Sequence, residues 1–157
     1  MERLDLIKHR QSNAVFSRAT ATKALNNLLN KITEANQRND FIYRITKAVL
    51  FGSYINSNKE KVGDLDVAIY IELKDKTIPE IKQNQDRARN KCYGISLIEE
   101  MIYGKEEVFK FLRDRKKVLE LHDGYLVDYE SKRRNEPKSY IYFDEYKIVY
   151  EEAFYDE

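Results

Sequence analysis

Apolar residues recur every three or four positions between residues 14 and 37: Val15, Ala19, Thr22, Leu25, Leu28, Leu29, Ile32 and Ala35, with Lys, Arg, Asn and Gln between them. That spacing predicts an amphipathic helix laying one face on the rest of the chain. The period then shortens. Tyr43 to Phe51, rich in β-branched and aromatic residues and bounded by Gly52, predicts a strand whose last four residues are buried. After a polar stretch from Asn56 to Gly63, Asp64 to Ile71 predicts a second strand, alternating at first and then largely apolar. Helical spacing returns from about Pro79 to Tyr103 through Ile81, Gln85, Ala88, Cys92, Ile95, Ile98, Met101 and Ile102, punctuated by Gly94 and Gly104. Val108, Phe109 and Leu112 mark a further short helix from Glu106 to Arg115. Lys117 to His122 has strand character, Asp123-Gly124 signals a hairpin turn, and Tyr125-Leu126-Val127 would be the returning arm. The tail from Tyr140 to Tyr150 alternates enough for a strand or two.

These elements predict an α+β (α/β-like) fold over residues 1–157, read as one domain with a tyrosine-rich extension over about 136–157. The size suffices for a real core, and 42% apolar with 35% charged residues is the composition of a folded domain. No apolar run approaches the roughly 20 residues that span a bilayer. A charged N-terminus and the single Cys92 give the expectation of a cytoplasmic protein without membrane association. The formal net charge is +1, so the chain lacks the overall basic surplus of a dedicated nucleic-acid binder, though a local patch is compatible with it.

The chemistry concentrates in Val49-Leu50-Phe51-Gly52-Ser53 and, ten residues on, Asp64-Leu65-Asp66-Val67. A glycine ending a buried strand lets a phosphate approach the backbone, and the Ser53 hydroxyl and nearby N–H groups offer donors. A helical turn begun at Tyr54 would add its N–H groups and dipole. On a strand, residues two apart share a face, so Asp64 and Asp66 project together while Leu65 and Val67 enter the core. Neither carboxylate has a neighbouring Lys or Arg on that face, and a divalent cation would relieve their repulsion. Mg²⁺ takes one or two carboxylates together with substrate phosphates. Other chemistries are poorly represented: there is no Gly-x-Gly-x-x-Gly, no Gly-x-x-x-x-Gly-Lys-Ser/Thr, and no zinc spacing among the two histidines and one cysteine.

Gly-Ser, a spacer of about ten, then Asp-x-Asp flanked by apolar residues resembles the signature of the polymerase-β-type nucleotidyltransferase superfamily, including the minimal nucleotidyltransferases of toxin–antitoxin loci. The resemblance is close from Val49 to Ile71 and elsewhere follows only the order of elements. It implies a small mixed sheet with helices on one side, two Mg²⁺ ions (Mn²⁺ as a substitute), and transfer of a nucleoside monophosphate from a nucleoside triphosphate to a hydroxyl with loss of pyrophosphate. Gly52 and Ser53 would then hold the triphosphate, and Asp64 and Asp66 would ligate metal.

Such enzymes generally use a third acid on a later strand. Glu120, between two core leucines, is the candidate for catalysis and metal binding, with His122 on the same face as a possible substrate contact. Asp123 suits the turn, and Asp128 is a weaker candidate. Lys110, Arg113, Arg115, Lys116 and Lys117 before this strand, Lys132, Arg133 and Arg134 after it, and Lys59 and Lys61 in the spacer are cations for a triphosphate or an RNA, or simply solvated surface. The acceptor is expected to be a protein side chain or an RNA end, a cognate toxin among the candidates. The alternative is a catalytically weak or inactive module of the same fold, acting as an antitoxin or regulatory partner. The tyrosine-rich tail suits half-buried strands better than a self-modification target.

Overall fold

A computed structural model describes residues 15–91, 93–128, 141–142 and 145–153. The fold is α+β. Its centre is a four-stranded sheet in the order β5-β4-β2-β8, where β2 is Tyr43–Phe51, β4 is Leu65–Leu73, β5 is Leu119–Asp123 and β8 is Tyr146–Glu151. β2 runs antiparallel to both β4 and β8, whereas β4 and β5 are parallel, so the sheet is mixed, as the resemblance implies. Parallel neighbours need a crossover. Two helices supply it: α3 (Glu80–Lys91) and α4 (Leu97–Arg113).

The long helix α1 (Arg18–Gln37) buries Ala21, Ala24, Leu28, Ile32 and Ala35 against one face of the sheet, where Ile45, Leu50, Leu65, Val67 and Ile69 meet Val108 and Leu112 of α4. Leu28 and Ile32 are fully buried, each contributing about 1.5–3 kcal/mol through apolar burial. The opposite face carries a smaller cluster, Val49, Phe51 and Ala68 with Tyr70 against them, and among the described residues no helix contributes to it. Helices therefore pack on one side of the sheet.

Several boundaries differ from the sequence reading. α1 starts at Arg18 and not near residue 14, because Ser17 caps it by accepting from the Thr20 N–H at 3.1 Å. Phe16–Ser17 forms a short strand, β1, paired with β3 (Lys61–Val62). The expected helix from Pro79 to Tyr103 is two helices, broken where Gly94 adopts φ +75° and restarted by the Ser96 cap. Gly104 does not end a helix. It lies inside α4, its N–H donating to Asn84 Oδ1 at 2.8 Å, and a Cβ there would stand 2.5 Å from Ile42 Cδ1. The segment from Glu106 is thus the second half of α4.

The hairpin at Asp123-Gly124 does not form. Asp123 Oδ1 accepts from the Tyr125 N–H at 3.1 Å and turns the chain into a 3₁₀ turn, Gly124–Leu126. Gly124 is small because the Tyr70 ring packs on it, 2.6 Å from where a Cβ would lie. β6 (Val127–Asp128) then pairs in parallel with β7 (Ile141–Tyr142) and not back onto β5. β5 itself begins at Leu119, after a turn through Lys117. Among the described residues, no helix is long and apolar enough to cross a membrane.

Candidate functional site

The C-terminal end of β2 and the N-terminal ends of β4 and β5 lie together, and their registers assemble the site. Asp66 stands opposite Phe51 of β2 on one side and Glu120 of β5 on the other, so its side chain shares their face of the sheet. Leu65 and Val67, pointing the other way, are fully buried in the core and lock this orientation. A one-residue slip would bury both aspartates.

β2 delivers the chain into Gly52, which has φ +84° and caps a single helical turn, α2 (Ser53–Asn56). The carbonyl of Gly52 accepts from the N–H groups of Ile55 and Asn56 at 3.1 and 3.0 Å. A Cβ on residue 52 would stand 2.5 Å from Asp66 Oδ2. Only glycine brings the turn this close to the carboxylate. Ser53 is exposed at the start of α2.

Asp64, immediately before β4, completes the cluster. Burial pushes its carboxyl above the usual aspartate range, and the charges of Asp66 and then Glu120 push it further; His122 opposes them. The charges that shift Asp64 thus come from two carboxylates and an imidazole. His122 sits one residue beyond Leu121, its Nε2 3.0 Å from Asp66 Oδ1 and its ring 5.1 Å, centroid to centroid, from that of Phe51. The sequence suggested a substrate contact for His122; here its partner is Asp66.

The loop after Gly52 is tied down by Arg18, at the start of α1. Its guanidinium donates to the carbonyls of Tyr54, Ser57 and Lys59 at 2.8, 2.5 and 3.0 Å, and its backbone N–H donates to Glu60 O at 2.7 Å. Nothing in a helical spacing pattern marks an arginine for contacts 36 to 41 residues away.

Other candidates fall outside the cluster. Asp123 is occupied by Lys105 and by the Tyr125 N–H. Asp128 lies on β6, and its side chain is outside the described residues, as are Lys132, Arg133 and Arg134. Lys59 and Lys61 are exposed on the loop and on β3. Lys110 and Arg113 of α4 line an open groove of about 920 Å³ that has Glu120 on its rim.

Among the described residues no three His, Cys, Asp or Glu side chains form a group that could hold a metal ion. Mg²⁺ does not require three, since one or two carboxylates suffice when phosphate oxygens complete the shell. Two aspartate carboxylates, one of them raised by burial and by its neighbours' charge, have the oxygen donors for such an ion. Asp64 and Asp66 would hold it. The chain matches no protein-family model, no curated protein and no solved structure.

Proposed function

We propose that this protein is a Mg²⁺-dependent nucleotidyltransferase that moves a nucleoside monophosphate from a nucleoside triphosphate to a hydroxyl of a protein or RNA. The observation that carries this reading is Asp66, in register with Glu120 and close against the Gly52 turn, with Asp64 immediately before the same strand and shifted by both charges. Glu120 was the weakest of the three in the sequence, and it is the one whose charge reaches Asp64 from another strand.

In this reading the backbone at Gly52-Ser53 receives the triphosphate, since no side chain at 52 blocks approach. Asp64 and Asp66 would anchor Mg²⁺, which supplies Lewis-acid stabilisation of the attacking and leaving oxygens when bound. The acceptor oxygen attacks the α-phosphorus, the bond to the bridging oxygen breaks, and pyrophosphate departs. Glu120, exposed at the edge strand, takes the proton of the acceptor hydroxyl. Arg18 acts at a distance, holding the loop that follows the turn. A cytoplasmic setting suits this reading.

One observation favours a second reading. His122 already satisfies Oδ1 of Asp66 and lends the cluster an imidazole. If that contact persists with nucleotide bound, the domain is a binding module with little turnover, acting as an antitoxin or regulatory partner. Incubation of the purified protein with each α-labelled triphosphate, Mg²⁺ or Mn²⁺ and a cell extract separates the two. Label transferred to a macromolecule, and lost in the Asp64→Asn/Asp66→Asn double variant, supports the enzyme. Binding without transfer supports the module, and absence of both binding and transfer sinks the nucleotide reading altogether.

A further inference from the structure

A second concave surface opens at the same end of the sheet. It lies between α1 and the turn joining α4 to β5, is about 470 Å³ in volume, and contains Lys23 from α1 and Arg115, Lys116 and Lys117 from the turn. No acidic residue lines it. All four cations are exposed, and among the described residues none of them forms an ion pair. In a chain whose formal charge is only +1, four cations outside the ion pairs of the described residues are a local excess.

The turn that presents them is fixed. Asp114 and Arg115 both adopt left-handed backbone, φ +49° and +58°, which L residues seldom do and an arginine has little reason to prefer. Their conformation is held by neighbours: Asp114 Oδ2 accepts from Asn27 Nδ2 of α1 at 3.1 Å, and its N–H donates to Lys110 O at 3.2 Å. The Lys116 N–H donates to Arg113 O at 3.0 Å, and the Leu119 N–H to Lys116 O at 3.1 Å. Three consecutive cations thus stand on a turn whose geometry is over-determined, facing a fourth on a rigid helix.

The groove borders the segment that runs into β5. Val118 lines it, and its carbonyl accepts from the Leu65 N–H at 2.7 Å; Leu65 sits between Asp64 and Asp66, and Glu120 follows Val118 by two residues. We propose that this groove binds the phosphodiester backbone of a single-stranded nucleic acid, whose end then reaches Asp64 and Glu120 as the acceptor. The choice of acceptor rests on the nucleotidyltransferase reading, whereas the binding does not. Lysines and arginines grouped on a groove wall, with Phe16 the one aromatic residue in its lining, read phosphates and not bases.

The test uses the full chain, without nucleotide, and 12-nucleotide fluorescent RNA and DNA strands, with affinity followed by anisotropy from low to high salt. On a single strand each phosphate contact contributes a log–log salt slope of about −0.7, so four contacts give about −3. Replacing Lys23, Arg115, Lys116 and Lys117 by Gln lowers affinity at low salt by at least about tenfold and flattens the slope toward zero. Lys23→Gln alone, on α1 and away from the turn, removes about 0.7 of slope without touching its geometry. Removing four cations elsewhere (Lys76, Lys82, Arg89 and Lys91 to Gln) leaves binding and slope in place. Equal affinity for RNA and DNA, or preference for RNA, agrees with phosphate recognition. The proposal is overturned if neither strand binds, if the groove variant binds as the unmodified chain does, or if a polyglutamate peptide outcompetes both strands. Nucleic-acid binding without nucleotide binding would end the proposed function and keep the groove; the converse would do the opposite.

Discussion

The carboxylate of Asp66 occupies the space that a side chain on residue 52 would fill, its Oδ2 lying 2.5 Å from the position of a Cβ on Gly52. β2 and β4 are therefore fitted to each other through the absence of a methyl group. Gly52→Ala would have to push the carboxylate aside and also hold φ near +84°, where L residues are strained. The expected result is a loss of about 1–3 kcal/mol in stability, read by chemical denaturation. Nucleoside triphosphate binding should weaken by at least about tenfold, since the displaced carboxylate and the blocked turn act together. Unchanged triphosphate binding in a folded Gly52→Ala protein would remove Gly52 from the site.

Asp64 makes the second expectation one of pH. Its carboxyl is raised by burial and by Asp66 and Glu120, so the folded protein binds a proton more tightly there than the unfolded chain does. The charge on Asp64 thus opposes folding above its folded pKa, and this penalty fades as pH falls through that value toward the unfolded value near 4. Asp64→Asn should raise the melting temperature at pH 7, with the advantage vanishing toward pH 4. Mg²⁺ with triphosphate should stabilise the natural chain and not this variant. A lower melting temperature for Asp64→Asn at pH 7 would contradict the electrostatic account.

Much of this site was legible in the sequence because it is local. Asp64 and Asp66 share a face by strand parity, and Leu65 and Val67 reveal the face they do not share. Glu120 and His122 were legible only as residues facing the same way, because register between β4 and β5 depends on how α3 and α4 return the chain. Arg18 was not legible at all, since its bonds to carbonyls beyond residue 53 depend on tertiary approach. The glycines misled in a consistent manner. Gly104 and Gly124 carry turn signals in the sequence, yet both are small because Ile42 and Tyr70 lie against them. A contact of that kind leaves no trace in local spacing.

Asn84, the fully buried polar side chain of α3, holds that helix to α4. Its Oδ1 accepts from the Gly104 N–H at 2.8 Å, and its Nδ2 donates to Tyr43 Oη at 2.9 Å and Glu80 O at 3.0 Å. Asn84→Ala leaves Tyr43, whose hydroxyl is pushed up to about 12 by burial and by its bond to Glu80, without this donor. It also opens a gap beside Gly104. A loss of about 2–3 kcal/mol is expected on thermal or urea unfolding. Gly104→Ala, crowding Ile42 and Asn84, should cost about 1–3 kcal/mol by the opposite route. Neither change touches the carboxylates, so triphosphate affinity should stay within about twofold where the protein remains folded.

Glu120 decides between turnover and binding. It lies in register with Asp66 on the edge strand, exposed, and its charge reaches Asp64. If Asp64 and Asp66 anchor the triphosphate and Glu120 takes the acceptor proton, Glu120→Gln keeps the shape and removes only the basic oxygen. Triphosphate binding should then change by less than about threefold, while label transfer falls by about 10²–10⁴-fold, the range that a positioned general base contributes. His122→Ala separates the competing role of its neighbour. Freeing Asp66 Oδ1 should leave transfer intact, or raise it, if the imidazole merely occupies the carboxylate between turnovers. A loss of transfer in His122→Ala as large as in Glu120→Gln would instead make the imidazole part of the chemistry. Equal triphosphate binding and equal transfer in Glu120→Gln and the natural chain would remove Glu120 from the reaction.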